Sequence, residues 1–166
     1  MRDSCDDQNI NSGAITGRFL TRAGETQPKI LVVDDDELEL ALICDRLQFR
    51  GFEVRRASHG AEALELLEKE WFPVILTDWQ MPVMSGLELT ERLRAKGVMD
   101  TYIIMLTVLE ASFDYERAYE IGVDDYLSKK MPAIELFARI HSAFSTLNLR
   151  QSLREALESL AAKDAD

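Results

Sequence analysis

Short apolar runs of strand length alternate along the chain with longer stretches whose apolar residues recur at helical spacing. The apolar runs predict β-strands over 29–33, 52–57, 73–78, 102–107 and 124–129. The helical stretches predict α-helices over 36–50, 60–70, 86–96, 111–121 and from 133 onward. A regular succession of strand–helix units predicts a parallel sheet between two layers of helices.

The composition of the strands predicts their order in that sheet. The first, third and fourth strands are apolar nearly throughout, as buried parallel strands are, whereas "FEVRRA" alternates like an edge strand. We therefore expect an α/β fold: a doubly wound five-stranded parallel sheet in the order 2-1-3-4-5, a flavodoxin-like three-layer sandwich with an extended C-terminal helix. Such sheets bind ligands beyond the carboxyl ends of the strands, at the switch point between strands one and three.

The length of 166 residues suits one domain with appendages. Scattered Gly, Ser, Asn and Asp without periodicity predict a mobile N-terminal tail over 1–28. We expect the domain itself over 29–146 and a helical extension over 147–166.

The extension carries its own apolar pattern. The domain-facing set at helical spacing is Leu136, Ile140, Phe144 and Leu147. A second set, in a shifted phase, is Leu149, Leu153, Leu157 and Leu160. An isolated amphipathic helix buries its apolar stripe only by pairing, so we expect a homodimer through a short coiled coil, with a solvated tail as the alternative.

Charge and composition exclude several classes of partner. A formal net charge of −11 argues against nonspecific binding to nucleic acid or anionic membrane and fits a cation site or a basic partner. No apolar run approaches the length of a membrane span, and the N-terminus lacks the apolar core of a secretory signal. Cys5 and Cys44 have no metal-ligand spacing. We expect a cytoplasmic protein with reduced thiols and no direct contact with nucleic acid or membrane.

Polar residues stand at the carboxyl ends of the predicted strands. Asp34 and Asp35 follow strand one, Asp78 ends strand three, and Thr107 and Lys129 end strands four and five. With the predicted order they converge on one crevice, where carboxylate oxygens suit Mg²⁺. A carboxylate beside Mg²⁺ and a lysine can attack phosphorus, because the cations neutralise the oxygens of the transferred group. The pattern predicts phosphoryl transfer to an aspartate.

Two of these acids have a simpler interpretation. Acids at a strand-to-helix turn commonly cap the helix, which would account for Asp34 or Asp35 without a metal. Capping needs only one acid, however, and Asp36 is better placed for it.

Residues 29–146 resemble the receiver domain of a bacterial two-component response regulator. The motifs "ILVVDDD", "LTDWQMPVMSG", "IIMLT" and "DDYLSKK" stand in the order and spacing of that family. The resemblance implies that Asp78 is the phospho-acceptor and that Asp34, Asp35, Asp78 and the Gln80 main-chain carbonyl hold Mg²⁺.

The resemblance also implies a switch. Lys129 would contact the phosphoryl group, while Thr107 and Tyr126 would change position on phosphorylation. The surface of helix four, strand five and helix five would then shift. The phosphoryl donor would be a phosphohistidine of a sensor histidine kinase or a histidine phosphotransferase, so the chain would modify itself rather than an external metabolite.

The sequence departs from the family pattern near the predicted site. Lys130 stands where the family usually has a proline, so the cis peptide common there is not expected. Val108 is larger than the usual residue and could narrow access to the phosphoryl group. Trp79 follows the predicted acceptor and is expected at the rim of the site.

Two other functions stay open. The chain could be a pseudo-receiver that acts only in binding and dimerisation, although such proteins usually lose part of the acid set. It could also be a haloacid-dehalogenase-like phosphatase, since "DDDEL" resembles that family's start, but no acid pair follows Lys129 at a strand end. The residues do not decide whether the chain is a complete regulator or the receiver part of a longer one.

Overall fold

A computed structural model describes residues 27–108 and 115–163 of the chain. The strands are β1 (Lys29–Val33), β2 (Glu53–Ala57), β3 (Val74–Asp78), β4 (Tyr102–Thr107) and β5 (Asp125–Ser128). The helices are α1 (Glu37–Phe49), α2 (Gly60–Lys69), α3 (Gly86–Ala95), α4 (Tyr115–Ile121) and α5 (Ala133–Lys163). Residues 1–26 of the predicted tail lie outside the described residues. The first residues of the predicted fourth helix, 111–114, lie outside them as well.

The sheet is parallel throughout, in the order β2-β1-β3-β4-β5. The predicted fold class and strand order are therefore confirmed, and "FEVRRA" does form an edge strand that pairs only with β1 among the described residues. Alternate residues of β1 enter different cores, as a strand buried on both faces requires. Ile30 and Val32 pack in the core beneath α1 and α5, while Leu31 and Val33 pack in the core beneath α2 and α3.

Polar residues at the start of each helix explain where α1, α2 and α3 begin. The Asp36 carboxylate accepts hydrogen bonds from the backbone N–H groups of Leu38 and Glu39, as predicted for a cap. His59 Nδ1 accepts from Glu62 N at 3.2 Å and so caps α2. Ser85 forms a reciprocal capping box at the start of α3.

Helix α5 is much longer than the part of it that is buried against the domain. Its buried residues end at Leu147, and Leu149 is already 71% exposed. No described helix combines the length and apolar character needed to cross a membrane. The free Cys44 belongs to α1 and is buried in the core.

Candidate functional site

Three aspartates meet at the carboxyl ends of adjacent strands. β1 and β3 are paired so that Val33 lies opposite Thr77, and the next residues along each strand therefore emerge side by side. Asp34, Asp35 and Asp78 each present an oxygen, and these oxygens all lie within 4.8 Å of one another. The predicted convergence of the acids is thus present in the fold.

Asp34 lies deepest in this cluster and is fully buried. Its backbone N–H donates to Ala57 O at 3.1 Å, which ties the end of β1 to the edge strand. Its Oδ1 accepts a hydrogen bond from Asp36 N at 2.9 Å. One carboxylate oxygen therefore braces the turn into α1, and the other remains for the site.

Lys129 directly follows β5, and its side-chain ammonium is the cation of the site. Its backbone N–H donates to Thr107 O at 2.9 Å, which extends the sheet pairing by one residue beyond the strand. Its Nζ donates to Asp78 Oδ2 at 2.8 Å and lies 2.8 Å from Asp34 Oδ2. The Asp34 contact is an ion pair outside hydrogen-bond geometry, because Asp34 Oδ2 has no hydrogen-bond donor among the described residues.

The shared ammonium leaves the acids imperfectly neutralised. Burial raises the pKa of Asp78, as does the charge of Asp34, and the bonds from Lys129 and Trp79 N only partly offset this. Burial acts to lower the pKa of Lys129, but its close contacts with the charged carboxylates of Asp34 and Asp78 outweigh this effect and leave that pKa above its ordinary value. Lys129 is therefore held charged between the two acids.

The residues present fit a divalent cation. Three carboxylates converge here on the single ammonium of Lys129, and the buried Asp34 Oδ2 lacks a directional hydrogen bond, so a further cation would offset the negative charge that Lys129 leaves unbalanced. Asp35 is exposed at the mouth of the cluster, where an ion could enter from solvent. Hard carboxylate oxygens are the ligands that Mg²⁺ prefers. Asp36, by contrast, is committed to capping α1.

The segment after Asp78 is tightly fixed. Trp79 N donates to Asp78 Oδ1 at 2.7 Å and to Leu106 O at 3.1 Å. The Trp79 ring packs partly buried against the small core around Met105. Gln80, whose carbonyl is a predicted metal ligand, is exposed on the loop that follows.

The sequence interpretation missed two residues beside Asp78, the predicted acceptor. A side-chain carbon at Gly86 would collide with the Asp78 carbonyl oxygen and approach Thr77 Oγ1 to 2.8 Å. The buried Thr77 hydroxyl donates to the same carbonyl at 3.1 Å. The available signal is the glycine at the first position of the predicted third helix.

The loop between Asp78 and α3 stores backbone strain. Met84 N donates to Pro82 O at 2.7 Å, and Val83 between them has φ of 67°. This is a γ-turn with a β-branched residue in the left-handed region, which such residues rarely adopt. Met84 O then accepts from Gly60 N at 3.0 Å and joins the loop to α2.

The predicted switch residues lie on neighbouring strands. Thr107 is 4% exposed, and its hydroxyl donates to Val108 O at 3.2 Å. The Tyr126 hydroxyl donates to Tyr115 O of α4 at 3.2 Å. Val108, at the predicted access position, is 49% exposed and immediately precedes the gap in the described residues.

Three tyrosines form an aromatic cluster between β5 and α4. The Tyr126 ring meets Tyr115 and Tyr119 edge-on, at centroid distances of 5.2 and 5.0 Å. Burial and these neighbours raise the pKa of Tyr126 to about 12.

No peptide bond is cis in the described residues, including those near Lys130. This agrees with the expectation from the missing proline.

Comparison with known proteins agrees with this geometry. Residues 30–141 match the model of the response regulator receiver domain. The chain is 36% identical over 119 residues to the transcriptional regulatory protein CrdR of Helicobacter pylori, covering 72% of this chain and 56% of that protein. It is 38% identical over 112 residues to the alkaline phosphatase synthesis transcriptional regulatory protein PhoP of Bacillus subtilis, covering 68% and 46%. The chain thus spans about half the length of these curated relatives.

Solved structures give the same result. The receiver domain of the Francisella response regulator 1452 superposes with a TM-score of 0.67 at 32% identity, over 72% of this chain and 98% of that one. A probable two-component system response regulator/GGDEF domain protein gives 0.70 at 28% identity, over 74% and 51%. The chain belongs to the family of response regulator receiver domains.

Proposed function

We propose that the chain is a phospho-acceptor switch in which Asp78 takes a phosphoryl group from a phosphohistidine of a sensor histidine kinase or histidine phosphotransferase. The observation that carries this proposal is the Lys129 ammonium, which lies 2.8 Å from both Asp78 and the buried Asp34. A stably folded domain gains little from placing a surplus of acids around one buried cation. A transferring phosphoryl group needs both the carboxylate and the cation.

In the proposed reaction an Asp78 carboxylate oxygen attacks phosphorus. The new bond joins that oxygen to phosphorus, the bond from phosphorus to the imidazole nitrogen breaks, and the nitrogen keeps the electron pair. Lys129 stabilises the negative oxygens of the transferred group, and Trp79 N holds the carboxylate in place from its other oxygen. Asp34, Asp35, Asp78 and the Gln80 carbonyl would hold Mg²⁺, which supplies further neutralisation of those oxygens.

The output of the switch would be a rearrangement of the surface formed by α4, β5 and α5. Thr107 would turn its hydroxyl from Val108 O toward the phosphoryl group. Tyr126 would then give up its hydrogen bond to Tyr115 O and move farther into the small core around Met105, against which its ring already packs. The surface of α4 would change because the Tyr126 hydroxyl is hydrogen-bonded to Tyr115 O of that helix.

The proposal is tested by mass spectrometry after incubation with a small phosphodonor and Mg²⁺. We expect a base-labile gain in mass of one phosphate that is absent in the variant Asp78→Ala. The control variant is Asp45→Ala, which removes an acid on the exposed side of α1 and should still be phosphorylated. An unmodified wild-type protein would contradict the proposal and favour the pseudo-receiver function. A phosphate mapped to Asp34 would favour the phosphatase.

Other parts of the sequence interpretation stay predictions. These are the cytoplasmic location, the lack of nucleic acid binding, the role of Val108 in access, and the division of the chain into a tail, a domain over 29–146 and an extension over 147–166.

A further inference from the structure

The short connection between β2 and α2 contacts the segments on both sides of the acid cluster. We define the β2–α2 connection as residues 57–60, from the last residue of β2 to the first residue of α2. Ala57 O accepts a hydrogen bond from Asp34 N at 3.1 Å, and Gly60 N donates to Met84 O at 3.0 Å. One end of the connection is thus bonded to a residue of the acid cluster, and the other end is bonded to the loop between β3 and α3.

The bond from Gly60 follows from the way in which a helix begins. The first N–H groups of an α-helix have no partner within the helix. In α2, Glu62 N donates to His59 Nδ1 at 3.2 Å, and Gly60 N donates to Met84 O. Gly60 is buried, so the loss of Met84 O would leave its N–H unsatisfied away from water. The contact with the loop therefore stabilises the first turn of α2.

The packing at Gly60 is as close as the hydrogen bond. A side-chain carbon there would lie 2.7 Å from Met84 Cγ, 2.9 Å from its Sδ and 3.0 Å from its carbonyl oxygen. Carbon atoms in contact pack about 3.5–4.0 Å apart, so a larger residue would push Met84 away. Met84 is only 5% exposed and packs in the core beneath α2 and α3. Gly60 does not have a positive φ, so glycine is required here for space and not for its backbone angles.

The loop that receives this contact is closed and strained. Gly86 N donates to Trp79 O at 3.2 Å, which closes a loop over residues 80–85. Within the loop, Val83 has a positive φ of 67°. A β-branched residue keeps such a conformation only where the surrounding structure holds it. The hydrogen bond and the packing from Gly60 help to hold the loop in this form.

We infer that the β2–α2 connection positions the Gln80 carbonyl relative to Asp34 and Asp35, and so controls the affinity of the cation site. This inference rests on the proposed function, in which these residues hold Mg²⁺. Gln80 lies within the closed loop, and a residue of a short closed loop moves when an anchor of the loop moves. Gly60 and Met84 are therefore positioning residues, since they act on the site through Gln80.

The separation of the two ligand-bearing segments matters for Mg²⁺ in particular. The coordination of this ion is close to ideal octahedral, with bonds of about 2.0–2.1 Å. The acids are held by the pairing of β1 with β3, but Gln80 lies beyond the end of β3 and outside that pairing. Its position therefore depends on how the loop is anchored, and the β2–α2 connection anchors the loop from outside the sheet.

Calorimetric titration of Mg²⁺ into the metal-free variant Gly60→Ala tests the inference. The new methyl group displaces Met84 without imposing backbone strain. Groups that orient metal ligands from outside typically change metal affinity by about 10- to 100-fold, so we expect the dissociation constant for Mg²⁺ to rise by about 10-fold. Hydrogen–deuterium exchange provides a readout without metal. The amide hydrogen at position 60 should exchange faster than in the wild type, because its bond to Met84 O is weakened.

A matched control destabilises α2 without touching the loop. Glu65→Gly places a poor helix former at an exposed position of α2. This variant should lower the melting temperature and leave the Mg²⁺ affinity unchanged.

A double variant tests whether the contact with Met84 is the cause. Gly60→Ala/Met84→Ala removes the colliding Cγ and Sδ atoms, and the remaining approach of 3.0 Å to the carbonyl oxygen needs only a small shift. The double variant should recover most of the Mg²⁺ affinity, although the cavity left by the methionine lowers the melting temperature further. Affinity and stability would then change in opposite directions, which a purely structural role of Gly60 does not produce.

The outcomes separate this inference from the proposed function. A wild-type protein that binds no Mg²⁺ would overturn both. Equal Mg²⁺ affinity in the wild type and Gly60→Ala would overturn the positioning role alone. Equal loss of affinity in Gly60→Ala and Glu65→Gly would also overturn that role, because affinity would then follow the stability of α2. A double variant that binds Mg²⁺ no better than Gly60→Ala would contradict it as well.

Discussion

The two ends of the sheet both hold buried arginine or lysine among acids, but they satisfy those charges in opposite ways. At the amino end, Arg94 Nε donates to Gly122 O, its Nη1 to Val98 O and Thr101 O, and its Nη2 to Asp124. At the carboxyl end, Lys129 is shared between Asp34 and Asp78, and an Asp34 oxygen lacks a directional hydrogen bond.

This difference separates a structural cluster from a functional one. A buried charge network whose donors and acceptors are all paired contributes to a rigid fold. A buried cluster with surplus negative charge costs stability, and it persists where a bound cation or transferred group completes it. We therefore place the proposed site at the carboxyl end, while the charge network at the amino end holds α3, β4 and α5 together.

The largest expected effect is the contrast between one substitution at each end. Arg94→Met keeps the apolar stem but leaves the carbonyls of Val98, Thr101 and Gly122 without that donor, and breaking such a buried pair costs about 3–5 kcal/mol. Asp34→Asn keeps an acceptor for Asp36 N and removes surplus charge, but it turns an amide NH2 group toward the Lys129 ammonium, so the free energy of unfolding should fall by only about 1 kcal/mol. Urea denaturation of both variants without Mg²⁺ checks this. Equal destabilisation would remove the distinction between the two ends.

Gly86→Ala should destabilise the protein by about 2–3 kcal/mol, because the new methyl group would collide with the Asp78 carbonyl and crowd Thr77. The backbone of Asp78, the proposed acceptor, would have to move, so phosphorylation by a small phosphodonor should slow as well. Gly97→Ala is the control for the loss of a glycine without a steric collision. A side-chain carbon at Gly97 meets no atom within 4 Å, although the φ of 76° there is strained for alanine. Gly97→Ala should leave the phosphorylation rate unchanged.

Val83→Gly should stabilise the protein by about 1 kcal/mol, since glycine adopts the positive φ of the γ-turn without strain. The side chain contributes little burial, because it is 80% exposed. Thermal unfolding of the variant against the wild type gives the sign. A lower melting temperature would show that the greater freedom of glycine in the unfolded chain outweighs the strain.

The last prediction concerns Tyr126, whose contribution to stability changes only at alkaline pH and is negligible near neutrality. Its pKa of about 12 in the folded protein lies above the value of about 10 for an unfolded chain. The protonated phenol therefore adds stability below pH 10, and that stability is lost as the pH rises from about 10 to 12. Ultraviolet titration of the tyrosines should show a late-ionising phenol that disappears in Tyr126→Phe. A phenol that persists in the variant would assign the late ionisation to another tyrosine.

The sequence was sufficient for the features that depend on strand order. Apolar character separated the central strands from the edge strand, and the order then placed Asp34, Asp78 and Lys129 at one rim. Small errors remained at the ends of elements: Pro73, predicted as the start of a strand, lies just outside β3 because it has no N–H to donate to the sheet.

The rest could not be predicted because it depends on contacts distant in sequence or on backbone geometry. Arg94 and Asp124 lie 30 residues apart, and no local pattern indicates their pairing. The strain at Val83 follows from joining the end of β3 to α3 within a few residues, which becomes visible only from the dihedral angles. The Ser85 capping box, in contrast, was available in the sequence as Ser-x-x-Glu.

Calorimetric titration with Mg²⁺ tests most directly the claim that the acids at the carboxyl end form a cation site. We expect the wild type to bind a single Mg²⁺ and to gain thermal stability from it. Asp34→Asn should lose most of that affinity, while Asp100→Asn, which removes an acid at the amino end, should bind as the wild type does. Equal Mg²⁺ affinity in the wild type and Asp34→Asn would contradict the account.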